Sequence, residues 1–169
     1  QYDLALADFD RSISNDPSFF KTYHNRGLVH ASLHQIDKAI DDFSKAISIQ
    51  PNFADAYIDR GLNYVKLHRY DLALSDYDQA IILTPENGII YSYKSFALAL
   101  KGQQDRAMSL VQKAIKLAPN NPLIYFNLGQ TYRVWGDDQS AIDAYTQSIE
   151  KSPFYFQSYF FQSHNHPLY

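Results

Sequence analysis

The sequence predicts an all-α protein built from repeated antiparallel helix pairs, because three classes of residue recur every 34 positions. Each recurring proline would end a helix, since proline lacks a backbone donor and clashes with the preceding turn. Apolar residues between the prolines follow helical spacing. The recurring residues are the prolines Pro17, Pro51, Pro85, Pro119 and Pro153, the alanines Ala5, Ala39, Ala73, Ala107 and Ala141, and the tyrosines Tyr23, Tyr57, Tyr91, Tyr125 and Tyr159.

Two further sets of positions recur at the same interval, one occupied by small residues and the other by large residues. We expect each small residue to mark a close approach of two helices, and each large residue to fill the space beside it. The small residues are Gly27, Gly61, Ser95, Gly129 and Ser163, and the large ones are Phe9, Phe43, Tyr77, Val111 and Tyr145.

The order of signals within one period predicts two helices and a turn. In residues 54–87, apolar side chains follow helical spacing through Leu62 and Val65, and again from Leu72 through Ile81. An aspartate begins the second helix, where its charge favours the positive end of the helix dipole. The aspartates are Asp3, Asp37, Asp71 and Asp105, and the turn positions are His34, His68, Gly102 and Gly136.

A 34-residue period with this pattern resembles the tetratricopeptide repeat family, in which each unit is a helix, a turn and a second helix. The resemblance implies an α-solenoid over residues 1–169, a right-handed superhelix with the first helices on its concave side. It divides the chain into a second helix at 1–19, four full repeats at 20–53, 54–87, 88–121 and 122–155, and a further first helix at 156–169. The aromatic stretch from Phe154 to Phe161 is then expected to be covered by more chain or by another molecule.

Composition narrows the classes of function. The net charge of −3, from 15 basic and 18 acidic residues, gives no electrostatic footprint for nucleic acid or an anionic membrane. No apolar run approaches the about 18 residues that a spanning helix needs, so no membrane insertion is expected. The chain has no cysteine, which excludes disulfides and thiolate sites and is compatible with the cytosol, as a default, or with the periplasm.

The family resemblance implies a ligand-binding groove on the first helices, occupied by a peptide or a helix of a protein partner. When the family's groove positions are transferred to this sequence one at a time, the early half of the groove is mixed and charged, and the later half is apolar and aromatic. The groove residues are Lys21, His24, Asn25 and Leu28 in the first full repeat, Asp55, Ile58, Asp59, Leu62 and Lys66 in the second, Ile89, Ser92, Tyr93, Phe96 and Leu100 in the third, and Leu123, Phe126, Asn127, Gln130 and Arg133 in the fourth.

Two features of this groove refine the expected ligand. Asn25, Asp59 and Asn127 occupy one position, where an asparagine can hydrogen-bond a ligand backbone, or instead hydrate the groove or bond within its own helix. The lysine and asparagine of the chaperone-binding members are replaced by His24 and Leu28, and a lysine of the third repeat by Ile89, so a chaperone clamp is not expected.

An apolar anchor in the later repeats is the preferred interpretation of the groove. Its aromatic side chains are of the kind enriched at binding hot spots, although they are also compatible with packing between helices. The anchor residues are Phe96, Leu100, Leu123 and Phe126.

No catalytic, metal or cofactor site is expected. His30 and His34 have the spacing of two ligands on one helix face, and His164 and His166 alternate, but neither pair has a third ligand nearby. Four aspartates are interpreted as solvated charges on the second helices, namely Asp41, Asp42, Asp76 and Asp78. No acid and base face each other across a cleft, and no phosphate loop or nucleophile motif is present.

These observations favour a protein-binding scaffold. Two alternatives remain: a structural module that self-associates through its end helices or convex surface, and a regulatory or targeting arm of a larger protein. The repeat itself does not choose among them, because one fold serves many functions.

Overall fold

The computed structural model describes residues 2–153, which form α-helices joined by short turns and contain no strand. The chain divides into two compact units, residues 1–85 and 86–169. Each unit is a stack of helix pairs, as the all-α class requires. The aromatic stretch from Phe154 onward lies outside the described residues.

The first unit contains two helix pairs preceded by a single helix. Helix α2 packs against α3 and α4 against α5, while α3 also packs against α4 and α1 against α2. Tyr23, Ala46 and Ala56 form part of the core between the two pairs. The helices are α1 (Tyr2–Asn15), α2 (Phe20–Ser32), α3 (Ile36–Ile49), α4 (Ala54–Lys66) and α5 (Tyr70–Leu83).

The second unit contains two helix pairs. Helix α6 packs against α7 and α8 against α9, and the first helices α6 and α8 pack side by side. Val111, Leu128 and Ala144 are buried together at the contact of three helices. The helices are α6 (Gly88–Leu100), α7 (Gln104–Leu117), α8 (Pro122–Val134) and α9 (Asp138–Lys151).

The recurring prolines end the second helices, as predicted. Gln50 and Thr84 are the last residues to donate a backbone hydrogen bond into their helices, and a proline follows each of them. The next first helix begins within a few residues, and in the second unit Asn87 and Asn121 cap it by accepting from a backbone N–H. Each repeat therefore ends where a proline prevents a further backbone hydrogen bond into the second helix, and the next repeat begins at the following first helix.

A left-handed residue closes each described turn between a first helix and its second helix. His34 and His68 have φ of 57°, and Gly102 and Gly136 have φ of 75°. The backbone N–H of the residue after each one donates to the carbonyl five positions earlier, as Gln35 does to His30 at 2.9 Å. This hydrogen bond is characteristic of a Schellman motif. Two histidines thus adopt a backbone conformation that favours glycine.

Glycine and an aromatic ring meet at the centre of three of the four helix pairs. A Cβ atom added to Gly61 would lie 2.7 Å from Tyr77 Cε1, and one added to Gly129 would lie 2.5 Å from Tyr145 Cε1. Gly27 has the same relation to the ring on α3. These contacts confirm the predicted alternation of small and large residues, because the ring occupies the space that a side chain on the first helix would need.

The third repeat has different residues at the two positions of this contact. Ser95 replaces the glycine and Val111 replaces the ring. The Ser95 hydroxyl donates to the Ala107 carbonyl at 2.9 Å, so the buried polar group is satisfied. Valine is smaller than the rings at this position in the other full repeats, and serine is larger than the glycine it replaces.

Two of the four aspartates interpreted as solvated charges are buried, which corrects that expectation. Asp42 and Asp76 are each 4% exposed, whereas Asp41 and Asp78 are exposed. Arg26 donates through Nε and Nη2 to both oxygens of Asp42, at 2.9 and 2.6 Å, and the hydrogen bonds raise the pKa of the arginine. Bidentate pairing offsets the cost of removing both charges from water.

The second repeat contains the equivalent pair. Arg60 donates to the two oxygens of Asp76 at 2.8 and 2.7 Å. Burial disfavours the charge on Arg60, but the hydrogen bonds to Asp76, together with charge interactions with Asp76, Tyr64 and Tyr57, outweigh it and raise the pKa of the arginine. The remaining Nη1 of Arg60 donates to Ser44 on α3, as Nη1 of Arg26 donates to Asp10 on α1.

Replacing Gly61 by Ser should lower the free energy of unfolding by about 1–3 kcal/mol, because the new side chain collides with Tyr77. Replacing Tyr77 by Val should lower it by about 2–4 kcal/mol through loss of packing. The double variant reproduces the Ser95–Val111 pair of the third repeat. We expect it to be more stable than the sum of the single changes implies, as measured by urea denaturation. Strictly additive losses would contradict the proposed complementarity.

Arg60→Leu should destabilise the protein by about 3–5 kcal/mol, because it leaves the Asp76 carboxylate buried without its partner. The fourth repeat has Leu128 and Ala144 at these two positions. Arg60→Leu combined with Asp76→Ala should therefore be more stable than Arg60→Leu alone. A denaturant-based double-mutant cycle measures the coupling, and a double variant less stable than the single one would refute this account.

Changing His34 or His68 to Gly should raise the free energy of unfolding by about 0.5–1 kcal/mol. Glycine removes the left-handed strain of an L-residue, about 1–2 kcal/mol. Part of this gain is lost because glycine has more conformational entropy in the unfolded chain. Lys45→Gly, at an exposed position inside α3, is the matched control and should lower stability by about 1 kcal/mol. Urea midpoints that fall in all three variants would show that these turns carry no strain.

Candidate functional site

The residues predicted to form the groove all lie on the first helices α2, α4, α6 and α8. They differ in how much of their surface remains accessible. The exposed residues are Lys21, Asn25, Leu28, Asp55, Lys66 and Arg133, the buried ones are Ser92, Leu123 and Asn127, and the others are partly exposed. In each unit we call the surface formed by the groove residues the first-helix face.

The first-helix face of the first unit contains a pocket of about 250 Å³. Its walls come from α2, which contributes His24, and from α4, which contributes Asp55, Ile58 and Asp59. Asp55 and Asp59 lie one turn apart on α4, so both carboxylates belong to the same helix surface. The structure therefore brings together residues that the sequence placed in two successive repeats.

A hydrogen bond between His24 and Asp59 joins the two helices at this pocket. His24 Nε2 lies 2.8 Å from Asp59 Oδ2, and both side chains are partly buried. The imidazole ring packs against Phe43 and Phe53, with ring centroids 5.5 and 4.8 Å away. These rings hold the histidine in place, so Asp59 has a fixed hydrogen-bonding neighbour.

Lys66 ends the charged row on α4. It lies two turns beyond Asp59, at the far end of the first-helix face, and the residue is exposed. Desolvation lowers the pKa of Lys66, and the negative charge of Asp59 opposes that change. Leu62, between them in sequence, is partly buried. Along α4 the face changes from negative to positive.

The second unit contains an equivalent bond between its first helices. Asn127 Nδ2 on α8 donates to the Ser92 hydroxyl on α6 at 2.9 Å. Ser92 corresponds in the repeat to His24, and Asn127 corresponds to Asp59. Asn127 is only 7% exposed, so its amide contributes to the contact between repeats. Within each unit, the two first helices are thus linked through the same pair of repeat positions.

The aromatic part of the second unit is supported from behind by α9. The rings of Phe126 and Tyr145 lie 5.7 Å apart, and the Tyr145 hydroxyl donates to Gln130 Oε1 at 2.8 Å. Burial raises the pKa of Tyr145, while Arg133 opposes the change. Phe126 and Gln130 therefore have fixed positions on the first-helix face.

Of the predicted apolar anchor, three members are partly exposed and one is buried. Phe96, Leu100 and Phe126 retain accessible surface, whereas Leu123 belongs to the core. Ile89 and Tyr93 are also partly exposed on α6. Most of the accessible apolar residues of the first-helix face in this unit accordingly lie on α6, and Phe126 lies on α8.

The histidines predicted as weak metal candidates have other roles where they are described. His30 Nδ1 lies 2.8 Å from Gln35 Oε1, and His34 is the left-handed residue of its turn. Within residues 2–153, no group of three potential ligands is placed to hold a metal ion. His164 and His166 lie outside the described residues.

Sequence reasoning missed the two contacts that fix the first-helix faces. Both join residues 35 positions apart, His24 with Asp59 and Ser92 with Asn127. The interval is one residue longer than the repeat, so it does not appear when equivalent positions are aligned. Comparing each repeat position with the next position in the following repeat would have revealed complementary polar pairs.

Family models match most of the chain. Models described as "Tetratricopeptide repeat" match residues 20–53, 54–87 and 123–154, and a model described as "TPR repeat" matches residues 97–133. The chain belongs to the tetratricopeptide repeat family.

Solved structures of tetratricopeptide repeat proteins share this fold. TTC0263, described as a thermophilic TPR protein in Thermus thermophilus, is 20% identical with a TM-score of 0.78, and the match covers 98% of this chain and 91% of that one. MamA from Desulfovibrio magneticus RS-1 is 21% identical with a TM-score of 0.74, covering 90% and 86%.

A third similar structure, YrrB, is described as a TPR protein with an unusual peptide-binding site. It is 25% identical with a TM-score of 0.67, and the match covers 90% of this chain and 78% of that one. Comparison with the curated proteins gives no match. Among the described residues, no helix is both long and apolar enough to cross a membrane.

Proposed function

We propose that this chain is a protein-binding scaffold whose first-helix faces hold an extended peptide or a helix of a partner protein. The observation that carries the proposal is the state of these faces: polar and aromatic side chains are fixed by contacts from behind yet keep accessible surface. In the first unit they form the pocket of His24, Asp55, Ile58 and Asp59. In the second, Phe96 and Phe126 provide the apolar part.

The physical advantage of such a face is preorganisation. Hydrogen bonds between successive first helices, and rings packed behind them, fix the receptor side chains before the ligand binds. The ordering cost on the receptor side is then small, and more of the contact energy contributes to affinity. Binding rather than catalysis is the proposed activity, in keeping with the scaffold role of this fold. The peptide-binding site ascribed to YrrB supports the choice of ligand class.

A second candidate is a self-associating structural module. Its support is α9, on which Ile142 is 57% exposed and Ile149 is 37% exposed. Apolar side chains at the equivalent positions of α7, Met108 and Ile115, pack against the buried cluster of that unit. Sedimentation at several concentrations separates the candidates, because Ile142→Glu would weaken self-association and leave peptide binding intact.

Phe96→Ala should weaken peptide binding at least about tenfold, since aromatic anchors at interface centres contribute more than about 1.4 kcal/mol. The probes are peptides selected by phage display against the full chain, measured by fluorescence anisotropy. Phe126→Ala should have a similar effect. Ile142→Ala is the matched control, because it removes apolar surface from α9 instead of the first-helix face.

Circular dichroism at the assay temperature establishes that each variant is folded. Selected peptides that bind Phe96→Ala and Phe126→Ala as tightly as the unmodified chain would contradict recognition through this face. A selection that returns no saturable peptide would count against the scaffold proposal itself.

A further inference from the structure

The pocket of the first unit is lined by two carboxylates, and that of Asp55 lies in the first turn of α4, at the positive end of the helix dipole. Asp59 is bonded to His24, but no hydrogen bond or ion pair to the Asp55 carboxylate occurs within residues 2–153. Lys66 interacts electrostatically with Asp59 from two turns away and does not line the pocket. A cationic group entering the pocket would therefore meet two carboxylates, one of them without a partner.

We propose that this pocket receives the side chain of an arginine in the bound peptide. The inference rests on the proposed function and specifies the ligand chemistry of one part of the first-helix face. The charge complementarity selects a cation, and the geometry selects arginine over lysine. A guanidinium group presents several donors in one plane, whereas an ammonium group is a compact and strongly hydrated charge.

The shape of the pocket suits the whole arginine side chain. Asp55 and Asp59 lie on the same surface of α4, one turn apart, so a planar group can donate to both. Ile58, which also lines the pocket, offers an apolar surface for the methylene stem. His24, held in place by two phenylalanine rings, closes the side formed by α2. The volume of about 250 Å³ is open to solvent at its mouth.

The other full repeats do not offer this combination at the positions of Asp55 and Asp59. The residues there are Lys21 and Asn25 in the first full repeat, Ile89 and Tyr93 in the third, and the buried Leu123 and Asn127 in the fourth. Two carboxylates one turn apart on a first helix therefore occur in one repeat of the four. The arginine preference belongs to the first unit and accounts for one residue of a bound peptide.

The test is a titration of the full chain with N-acetyl-arginine methylamide, followed by NMR at the Ile58 methyl group and the His24 ring. The corresponding citrulline derivative has nearly the same shape without the charge, and the lysine derivative has the charge without the planar donors. We expect saturable shifts with arginine, at least about threefold weaker binding with lysine, and no saturation with citrulline.

Asp55→Asn should weaken arginine binding about two- to fivefold, as expected for one exposed charge pair. Asp41→Asn, an exposed aspartate on α3, is the control and should leave binding unchanged. Added salt should weaken binding to the unmodified chain, which provides a second measurement that needs no variant. Equal binding of citrulline, equal binding of lysine, or an unchanged affinity in Asp55→Asn would overturn the proposal.

The outcome is separable from that of the proposed function. Phage-selected peptides that bind through Phe96 while the arginine probe leaves Ile58 unaffected would remove only the arginine inference. Saturable arginine binding at Ile58 without any selected peptide would support a cation site in this pocket, but it would remove both the scaffold proposal and the bound peptide as the source of the arginine.

Discussion

The contact between a small residue on a first helix and a large one on its second helix sets the geometry on which the other features depend. Gly27, Gly61 and Gly129 bring the two helix backbones together, and the opposing ring fills the space beside them. Because the rings also support the first-helix face from behind, as Tyr145 supports Phe126, the same contact fixes both the fold and the candidate binding surface. The proposed binding surface therefore shares side chains with the packing between helices.

The first-helix face, which we propose as the binding surface, also joins the two first helices within each unit. His24 and Asp59 in one unit, and Ser92 and Asn127 in the other, use the same pair of repeat positions for a hydrogen bond between first helices. A change of ligand preference at these positions would alter stacking as well. Asp55 is different, because it lines the pocket without holding the repeats together, so a substitution there would alter the proposed binding surface at little cost to the fold.

The sequence predicted the helix pairs, the prolines that end them and the small-to-large contacts, because each depends on local spacing that repeats without insertion. It predicted the location of the groove residues on first helices through the family resemblance. It did not reveal that Asp42 and Asp76 are buried, since an aspartate on a helix is expected to be solvated unless its partner is known. Their partners lie 16 residues away, across a turn, and only the folded pair brings them within bonding distance.

The buried aspartates are paired with Arg26 and Arg60, and each of these arginines links its own helix to the helices before and after it. The contacts join Arg26 on α2 to Asp10 on α1 and Asp42 on α3, and Arg60 on α4 to Ser44 on α3 and Asp76 on α5. Opening any one helix at its end would expose or strand a buried charge, so fraying in the first unit is opposed beyond the loss of apolar contact. The fourth repeat has Leu128 and Ala144 instead, and local opening there leaves no buried charge at these two positions. Backbone amides of the two units should accordingly differ in how independently they exchange with solvent.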